Sequence, residues 1–193
     1  PASSFFHFWQ HSFLAFSSDK KYLFAVNETK NGYIESFKNI EEKLESINKV
    51  AVEGDDPCFV SVNESNLILV SNYSSGNVSL LNYNSEGILS ELLDVQQHSG
   101  SDIHDRQKEA HAHSAWFVPK SSEVIAVDLG TNELWMYNLN LESKKLIPAS
   151  QNKLRMKPGA GPRHLAFHPD NNCIYVLNEL DATITIVNRS SNG

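Results

Sequence analysis

The pair His111 and His113 is the first feature of this sequence that could do chemistry. Both residues flank the start of a predicted strand, where residues two apart point to the same face. Imidazole titrates near neutral pH, so the pair suits acid/base catalysis or substrate binding. Two other interpretations stay open at this point. The pair could form hydrogen bonds to neighbouring elements, or it could bind zinc together with His98, His104 or Asp105.

The segment 158–164 (PGAGPRH) delivers an arginine and a histidine to the start of another strand. Its two glycines and two prolines predict a fixed turn. A phosphate loop is not indicated, because a strand rather than a helix follows. Arg163 has a planar guanidinium that suits a carboxylate or a phosphate, although a salt bridge to a neighbouring element is the alternative.

Two acidic residues follow or end predicted strands. Glu179 comes directly after Asn178 and could move a proton or orient a basic group, or it could be a structural link, as the equivalently placed Glu28 could be. Asp128 begins the turn 128–132 (DLGTN), where its carboxylate is expected to accept backbone hydrogen bonds.

These residues belong to a pattern that occurs four times. Each copy has an apolar strand, a polar turn, a second apolar strand ending in Asn or Asp, another turn and a third strand. The terminal residues Asn27, Asn72, Asp128 and Asn178 are 45, 56 and 50 residues apart. A period near 50 with several short strands per unit is typical of β-propeller blades.

The expected fold is therefore all-β: one propeller domain over residues 1–193 with four-stranded antiparallel blades. The repeats lie near 13–50, 57–95, 112–148 and 162–193. Residues 40–50 have only weak helical periodicity and could be an outer strand. His113 and Arg163 occupy the same register, at the start of inner strands that line a central channel.

The third interval is longer because residues 96–110 are inserted before the third repeat. This stretch is polar and rich in histidine. A loop of that length within a compact domain is usually functional or disordered. A mobile surface insertion is the alternative to a functional loop.

Composition excludes several classes of function. The chain has 193 residues, with 16 Lys and Arg against 23 Asp and Glu, and a net charge of −7, which argues against a general nucleic-acid binder. No apolar run reaches the roughly 20 residues of a membrane span, and the apolar stretch 5–16 is a poor signal peptide. We expect a cytoplasmic protein. Cys58 and Cys173 are too few for a disulfide scaffold, and both are expected to be buried and inert.

The segments 109–114 (EAHAHS), 128–131 (DLGT), 158–169 (PGAGPRHLAFHP) and 178–180 (NEL) together resemble the lactonase family of seven-bladed β-propellers. Segments 54–57 and 71–76 fit the same pattern. The family includes 6-phosphogluconolactonases and carboxymuconate cyclases, and the similarity runs from about Phe13 to Val187. In the cyclase branch the resemblance implies a His, an Arg and a Glu in lactone chemistry, which fall on His113, Arg163 and Glu179.

The prediction is a lactone hydrolase of the 6-phosphogluconolactonase type that needs no cofactor and no metal. His113, Arg163 and Glu179 are the expected catalytic residues. His111, His164 and Asp128 are expected to bind a small-molecule lactone or sugar phosphate. A lactonizing cycloisomerase of the carboxymuconate type and a non-catalytic binding platform are the alternatives.

Four repeats are fewer than seven blades, so the first and last blades should expose apolar faces. Phe13, Phe16, Ile184 and Ile186 are expected on those faces. No polar cap is visible in the aromatic head 5–9 or in the tail 188–193, and exposed apolar patches drive association. We therefore expect that the chain self-associates, that it recruits a complementary chain, or that it is part of a longer protein.

Overall fold

The computed structural model describes residues 10–40 and 43–189. Its strands form four antiparallel sheets that follow one another along the chain. The first two sheets contain, in order, β1 (His11–Phe16), β2 (Tyr22–Asn27), β3 (Tyr33–Ile40) and β4 (Lys43–Ala51), then β5 (Pro57–Val62), β6 (Leu67–Asn72), β7 (Asn77–Asn82) and β8 (Asp94–Gln97).

The third and fourth sheets follow a single 3₁₀ turn, Asp105–Gln107. They contain β9 (Ala112–Phe117), β10 (Glu123–Asp128), β11 (Glu133–Asn140) and β12 (Lys145–Arg155), then β13 (Pro162–Phe167), β14 (Cys173–Asn178) and β15 (Thr183–Asn188). The all-β prediction is confirmed, and residues 43–51 form an outer strand rather than a helix. In the described part of the chain, the fourth sheet has three strands rather than four.

Apolar packing between successive sheets holds them together. Strand β6 is buried along its whole length because the first and third sheets cover its two faces. Strand β2 is also buried along its whole length, and one of its faces packs on the second sheet. One buried cluster joins the first and second sheets through residues such as Phe24 and Ile68. A second cluster joins the second and third sheets, and a third joins the third and fourth.

The first strands of the four sheets (β1, β5, β9 and β13) are the innermost, and each packs on the next one along the chain. Each of them shows a register shift just after its start, which leaves one residue as a β-bulge. The bulged residues are Ser12, Cys58, His113 and Arg163. A bulge interrupts the ordinary alternation of side chains along a strand. In every blade, the side chain of the bulged residue therefore points in a different direction from those of its neighbours.

An aromatic layer lies next to the bulged residues. Phe59 is its centre, with ring centroids 4.5 Å from Phe13, 4.8 Å from Trp116 and 5.5 Å from His164. The four rings come from four different inner strands. We call these residues the aromatic floor.

The outer faces of the first and last sheets are partly apolar. The side chains of Leu14 and Phe16 are 53% and 51% exposed, and those of Ile184 and Ile186 are 65% and 62% exposed. Phe13, which was expected on the open face, instead faces inward to the aromatic floor. The predicted uncapped head 5–9 and the residues after 189 lie outside the described residues. Among the described residues, no helix is long and apolar enough to cross a membrane.

Candidate active site

Three of the predicted site residues meet at one end of the inner strands. The Nε of Arg163 donates a hydrogen bond to Nε2 of His113 over 3.0 Å. The same Nε lies 3.0 Å from Oε2 of Glu179, and that oxygen is 3.9 Å from Nε2 of His113. The structure therefore brings His113, Arg163 and Glu179 into one cluster.

The local fold explains this convergence. His113 and Arg163 are the bulged residues of β9 and β13, so both side chains leave their strands toward the same space. The hydroxyl of Ser114 donates to the carbonyl of Arg163 over 2.8 Å and fixes the two strands side by side. The backbone N–H of Glu179 donates to the carbonyl of Gly161 over 2.7 Å, which holds the turn after β14 against the start of β13.

His113 is neutral in this setting. Burial of its ring and the positive charge of Arg163 lower the pKa of His113 to about 4. Because Nε2 accepts the hydrogen bond from Arg163, the proton of the neutral ring resides on Nδ1, which lies 3.8 Å from the Sγ of Cys58. Nε2 therefore carries a lone pair that can accept a proton.

Glu179 is ionised. Partial burial raises the pKa of this carboxyl, but a hydrogen bond from Arg106 and the charges of Arg106 and Arg163 outweigh that effect and hold the pKa below its usual value. The carboxylate thus lies between two guanidinium groups.

Sequence reasoning missed Arg106 and did not assign a role to Tyr73. Arg106 lies in the insertion 96–110; its Nη1 donates to Oε1 of Glu179 and its Nη2 donates to the hydroxyl of Tyr73 over 3.1 Å. Tyr73 follows Asn72 just as Glu179 follows Asn178, so the repeat pattern carried a signal for it. For Arg106 the only signal was its place in a long polar loop.

The prediction that His111 and His113 share a strand face is wrong, because β9 begins after His111 and bulges at His113. His111 instead stacks on the ring of Tyr73, with centroids 4.5 Å apart, and its Nδ1 lies 3.0 Å from the Tyr73 carbonyl oxygen. The ring of His113 meets the same Tyr73 edge-on at 5.5 Å. The two histidines therefore flank one tyrosine.

Asp128 and His164 were expected to bind substrate, and they differ in exposure: Asp128 is buried, whereas His164 is only partly buried. The side chain of Asp128 is fully buried and accepts hydrogen bonds from the backbone N–H groups of His111 and Thr131, and it pairs with His98 Nδ1 at 2.7 Å. His164 belongs to the aromatic floor, and its centroid is 5.3 Å from that of His113. A ligand above the cluster does not reach the Asp128 carboxylate, so this residue supports His111 from below.

The residues considered for a zinc site have other partners. His98 pairs with Asp128, and Nδ1 of His104 accepts the backbone N–H of Arg106 over 3.1 Å. Asp105 pairs with Lys108 at 3.2 Å. Within residues 10–40 and 43–189, no three His, Cys, Asp or Glu side chains lie close enough to hold a metal ion.

Both cysteines are buried and free. Burial raises the pKa of the Cys58 thiol far above its usual value, with a smaller contribution from the charge of Glu28. Cys58 is therefore a thiol rather than a nucleophilic thiolate.

Comparison with known proteins identifies the fold and its family. A family model described as "Lactonase, 7-bladed beta-propeller" matches residues 2–193. The 6-phosphogluconolactonase of Bacillus subtilis (strain 168) is 37% identical over 139 residues, which are 72% of this chain and 39% of that protein. The 6-phosphogluconolactonase of Formosa agariphila is 29% identical over 182 residues, which are 90% of this chain and 52% of that protein.

Among solved structures, the periplasmic gluconolactonase of Pseudomonas aeruginosa superposes with a TM-score of 0.93 at 29% identity, covering 98% of this chain and 56% of that one. The chain thus spans about half the length of the proteins it matches. The chain forms four consecutive antiparallel blades, and the same bulge recurs on each inner strand. Because the family model also covers nearly every residue, this chain belongs to the lactonase family of seven-bladed β-propellers.

Proposed function

We propose that the protein is a lactone hydrolase of the 6-phosphogluconolactonase type, with its active site at the His113–Arg163–Glu179 cluster. One observation carries this proposal: a neutral imidazole, a guanidinium and a carboxylate from two blades lie within 3.9 Å of one another. The names of the relatives support a lactone substrate.

In the proposed mechanism His113 is the general base. Its Nε2 takes a proton from a water molecule whose oxygen attacks the lactone carbonyl carbon. The guanidinium of Arg163 stabilises the negative charge that develops on the carbonyl oxygen. The ring C–O bond then breaks, and the departing ring oxygen takes the proton back from the imidazolium, so that lactone and water give a hydroxy acid.

Glu179 assists proton transfer through its charge. As an ionised carboxylate next to His113 and Arg163, it stabilises the imidazolium that forms when His113 accepts a proton. Before catalysis, water must replace Arg163 as the hydrogen-bond partner of His113. A substrate oxygen that draws the guanidinium toward itself would bring about this exchange and would also raise the basicity of the imidazole.

The cycloisomerase alternative would use Arg163 to hold a carboxylate, and the lactonase names of the relatives favour hydrolysis over it. The binding-platform alternative predicts no turnover. A cytoplasmic location stays a prediction, and one similar structure is that of a periplasmic protein.

The test is hydrolysis of 6-phosphogluconolactone by the full-length protein and its His113→Ala variant, with circular dichroism to check folding. We expect a loss of at least about 100-fold in kcat, as for removal of a general base. His168→Ala is the matched control, because His168 lies at a turn where its Nδ1 accepts the backbone N–H of Asp170, away from the cluster. A folded His113→Ala variant with unchanged kcat would exclude the proposed base.

A further inference from the structure

Arg106 is the one charged group of the cluster that comes from outside the blades. It lies in the 3₁₀ turn Asp105–Gln107 of the insertion 96–110, and its guanidinium reaches Glu179 of the fourth blade and Tyr73 of the second. The insertion therefore adds a second arginine to a site that the bulged inner strands already supply with Arg163.

The turn that carries Arg106 is fixed in place. Gln107 is fully buried, and its side-chain amide donates to the Leu129 carbonyl over 2.8 Å. Its side-chain oxygen accepts the backbone N–H of His104, which closes a capping box around the turn. Asp102 accepts the backbone N–H of Gly159 over 3.2 Å. These contacts tie the insertion to the third and fourth blades, so Arg106 is presented on a preorganised support.

The two arginines lie on opposite sides of the Glu179 carboxylate. Oε2 faces Arg163 and His113, whereas Oε1 faces Arg106. His113 is almost buried, but the Arg106 side chain is 48% exposed. Arg163 thus adjoins the proposed base, while Arg106 binds the other carboxylate oxygen; the two arginine side chains are similarly exposed, at 42% and 48%.

The cluster has surplus positive charge in a chain whose net charge is −7. Two guanidinium groups surround one carboxylate, and His113 is neutral because its pKa is about 4. The described hydrogen bonds of Arg106 use two of its five N–H donors. The remaining donors, in a fixed planar fork at the mouth of the site, match the oxygens of a phosphate group.

We propose that Arg106 binds the phosphate group of a phosphorylated sugar lactone and thereby determines selectivity for phosphorylated over unphosphorylated lactones. This inference rests on the proposed lactonase function and extends it, since it divides two tasks between two arginines. Arg163 stabilises the charge on the lactone carbonyl oxygen beside His113, and Arg106 binds the phosphate group at the other end of the substrate. The hydroxyl of Tyr73 orients the Arg106 fork.

The test measures kcat/KM of the full-length protein for 6-phosphogluconolactone and for gluconolactone, and takes their ratio. In Arg106→Ala we expect this ratio to fall at least about tenfold, which corresponds to loss of one charge-assisted hydrogen bond. Arg106→Ala also removes a hydrogen bond to Glu179. We expect that loss to lower kcat/KM for both lactones by the same factor, so that it leaves their ratio unchanged. Arg106→Lys should give an intermediate ratio. The control Lys108→Ala removes a cation of the same turn that pairs only with Asp105 among the described residues, and should leave the ratio unchanged.

A ratio that stays unchanged in Arg106→Ala would overturn the inference, whatever happens to the separate rates. If the wild-type protein hydrolyses neither lactone, the proposed function fails. The phosphate site is then tested separately, by measuring the affinities of the protein for 6-phosphogluconate and for gluconate by calorimetry. Tighter binding of the phosphorylated acid that is lost in Arg106→Ala supports the inference. Equal binding of both acids, or no binding of either, overturns it.

Discussion

Arg163 donates a hydrogen bond from Nε to Nε2 of His113 over 3.0 Å, although the two residues are 50 positions apart in the sequence. Each is the bulged residue of its inner strand, so the contact joins equivalent positions of adjacent blades. Cys58 and Ser12 occupy the same position in the two preceding blades, and Sγ of Cys58 lies 3.8 Å from Nδ1 of His113. The bulged position of the inner strand thus holds a chemically different residue in each of the four blades of this chain.

The first prediction concerns the charge of Arg163. In Arg163→Gln the pKa of His113 should rise above its value of about 4, because the nearby positive charge that disfavours the imidazolium is removed. Burial, the larger cause, remains, so the pKa should stay below that of an exposed histidine. Imidazole resonances followed by NMR across a pH titration report this value, and His168 in the same spectra is the internal control. An unchanged His113 pKa would show that Arg163 does not tune it.

The second prediction concerns stability in acid. Between pH 6.5 and about 4 the unfolded chain protonates His113 while the folded chain does not, so the free energy of unfolding should fall as the pH drops through this window. The difference between the ordinary pKa of 6.5 and the folded-state pKa of about 4 corresponds to a loss of about 3 kcal/mol in the free energy of unfolding once the pH is below both values. His164, whose pKa burial also lowers, acts in the same direction.

The contribution of His113 alone is isolated by urea denaturation of the wild type and of His113→Gln at pH 7 and pH 4.5. The variant should lose less stability between these two pH values than the wild type does. Parallel losses in both proteins would contradict the assignment of this titration to His113.

The third prediction concerns the support beneath His111. Asp128→Asn should lower the free energy of unfolding by about 3 kcal/mol, because it removes a fully buried carboxylate that is hydrogen-bonded to His98 and weakens two backbone hydrogen bonds. Asp170→Asn is the matched control, since its carboxylate is 77% exposed, and it should change stability by less than about 0.5 kcal/mol. Equal effects of the two substitutions would argue against a structural role for Asp128.

The fourth prediction concerns the outer faces of the first and last sheets. Leu14, Phe16, Ile184 and Ile186 are all more than half exposed, so the 193-residue chain by itself should self-associate and give a mass above 21.6 kDa by light scattering. The double variant Ile184→Lys/Ile186→Lys should reduce that mass, because charges on β15 oppose apolar pairing. A well-folded wild-type monomer would show that these faces do not drive association.

The sequence by itself determined the blades. Strands β2, β6 and β14 could be predicted because each is a short run of apolar residues that ends in Asn before a turn, and such patterns are set by local chemistry. The repeat of this unit also placed His113 and Arg163 in equivalent positions. The resemblance to the lactonase family could also be recognised from the sequence, because segments such as 158–169 contain a distinctive arrangement of glycine and proline.

Only the tertiary structure decided how the site is assembled. A bulge inserts one residue without altering composition, so simple alternation wrongly placed His111 and His113 on one face. Asp128 has a type that suits ligand binding, but packing from neighbouring blades buries its carboxylate. Arg106 reaches Glu179, 73 positions away, because Gln107 and Asp102 anchor its loop to distant backbone groups. Contacts of that range depend on the arrangement of whole blades, and no local pattern in the sequence encodes them.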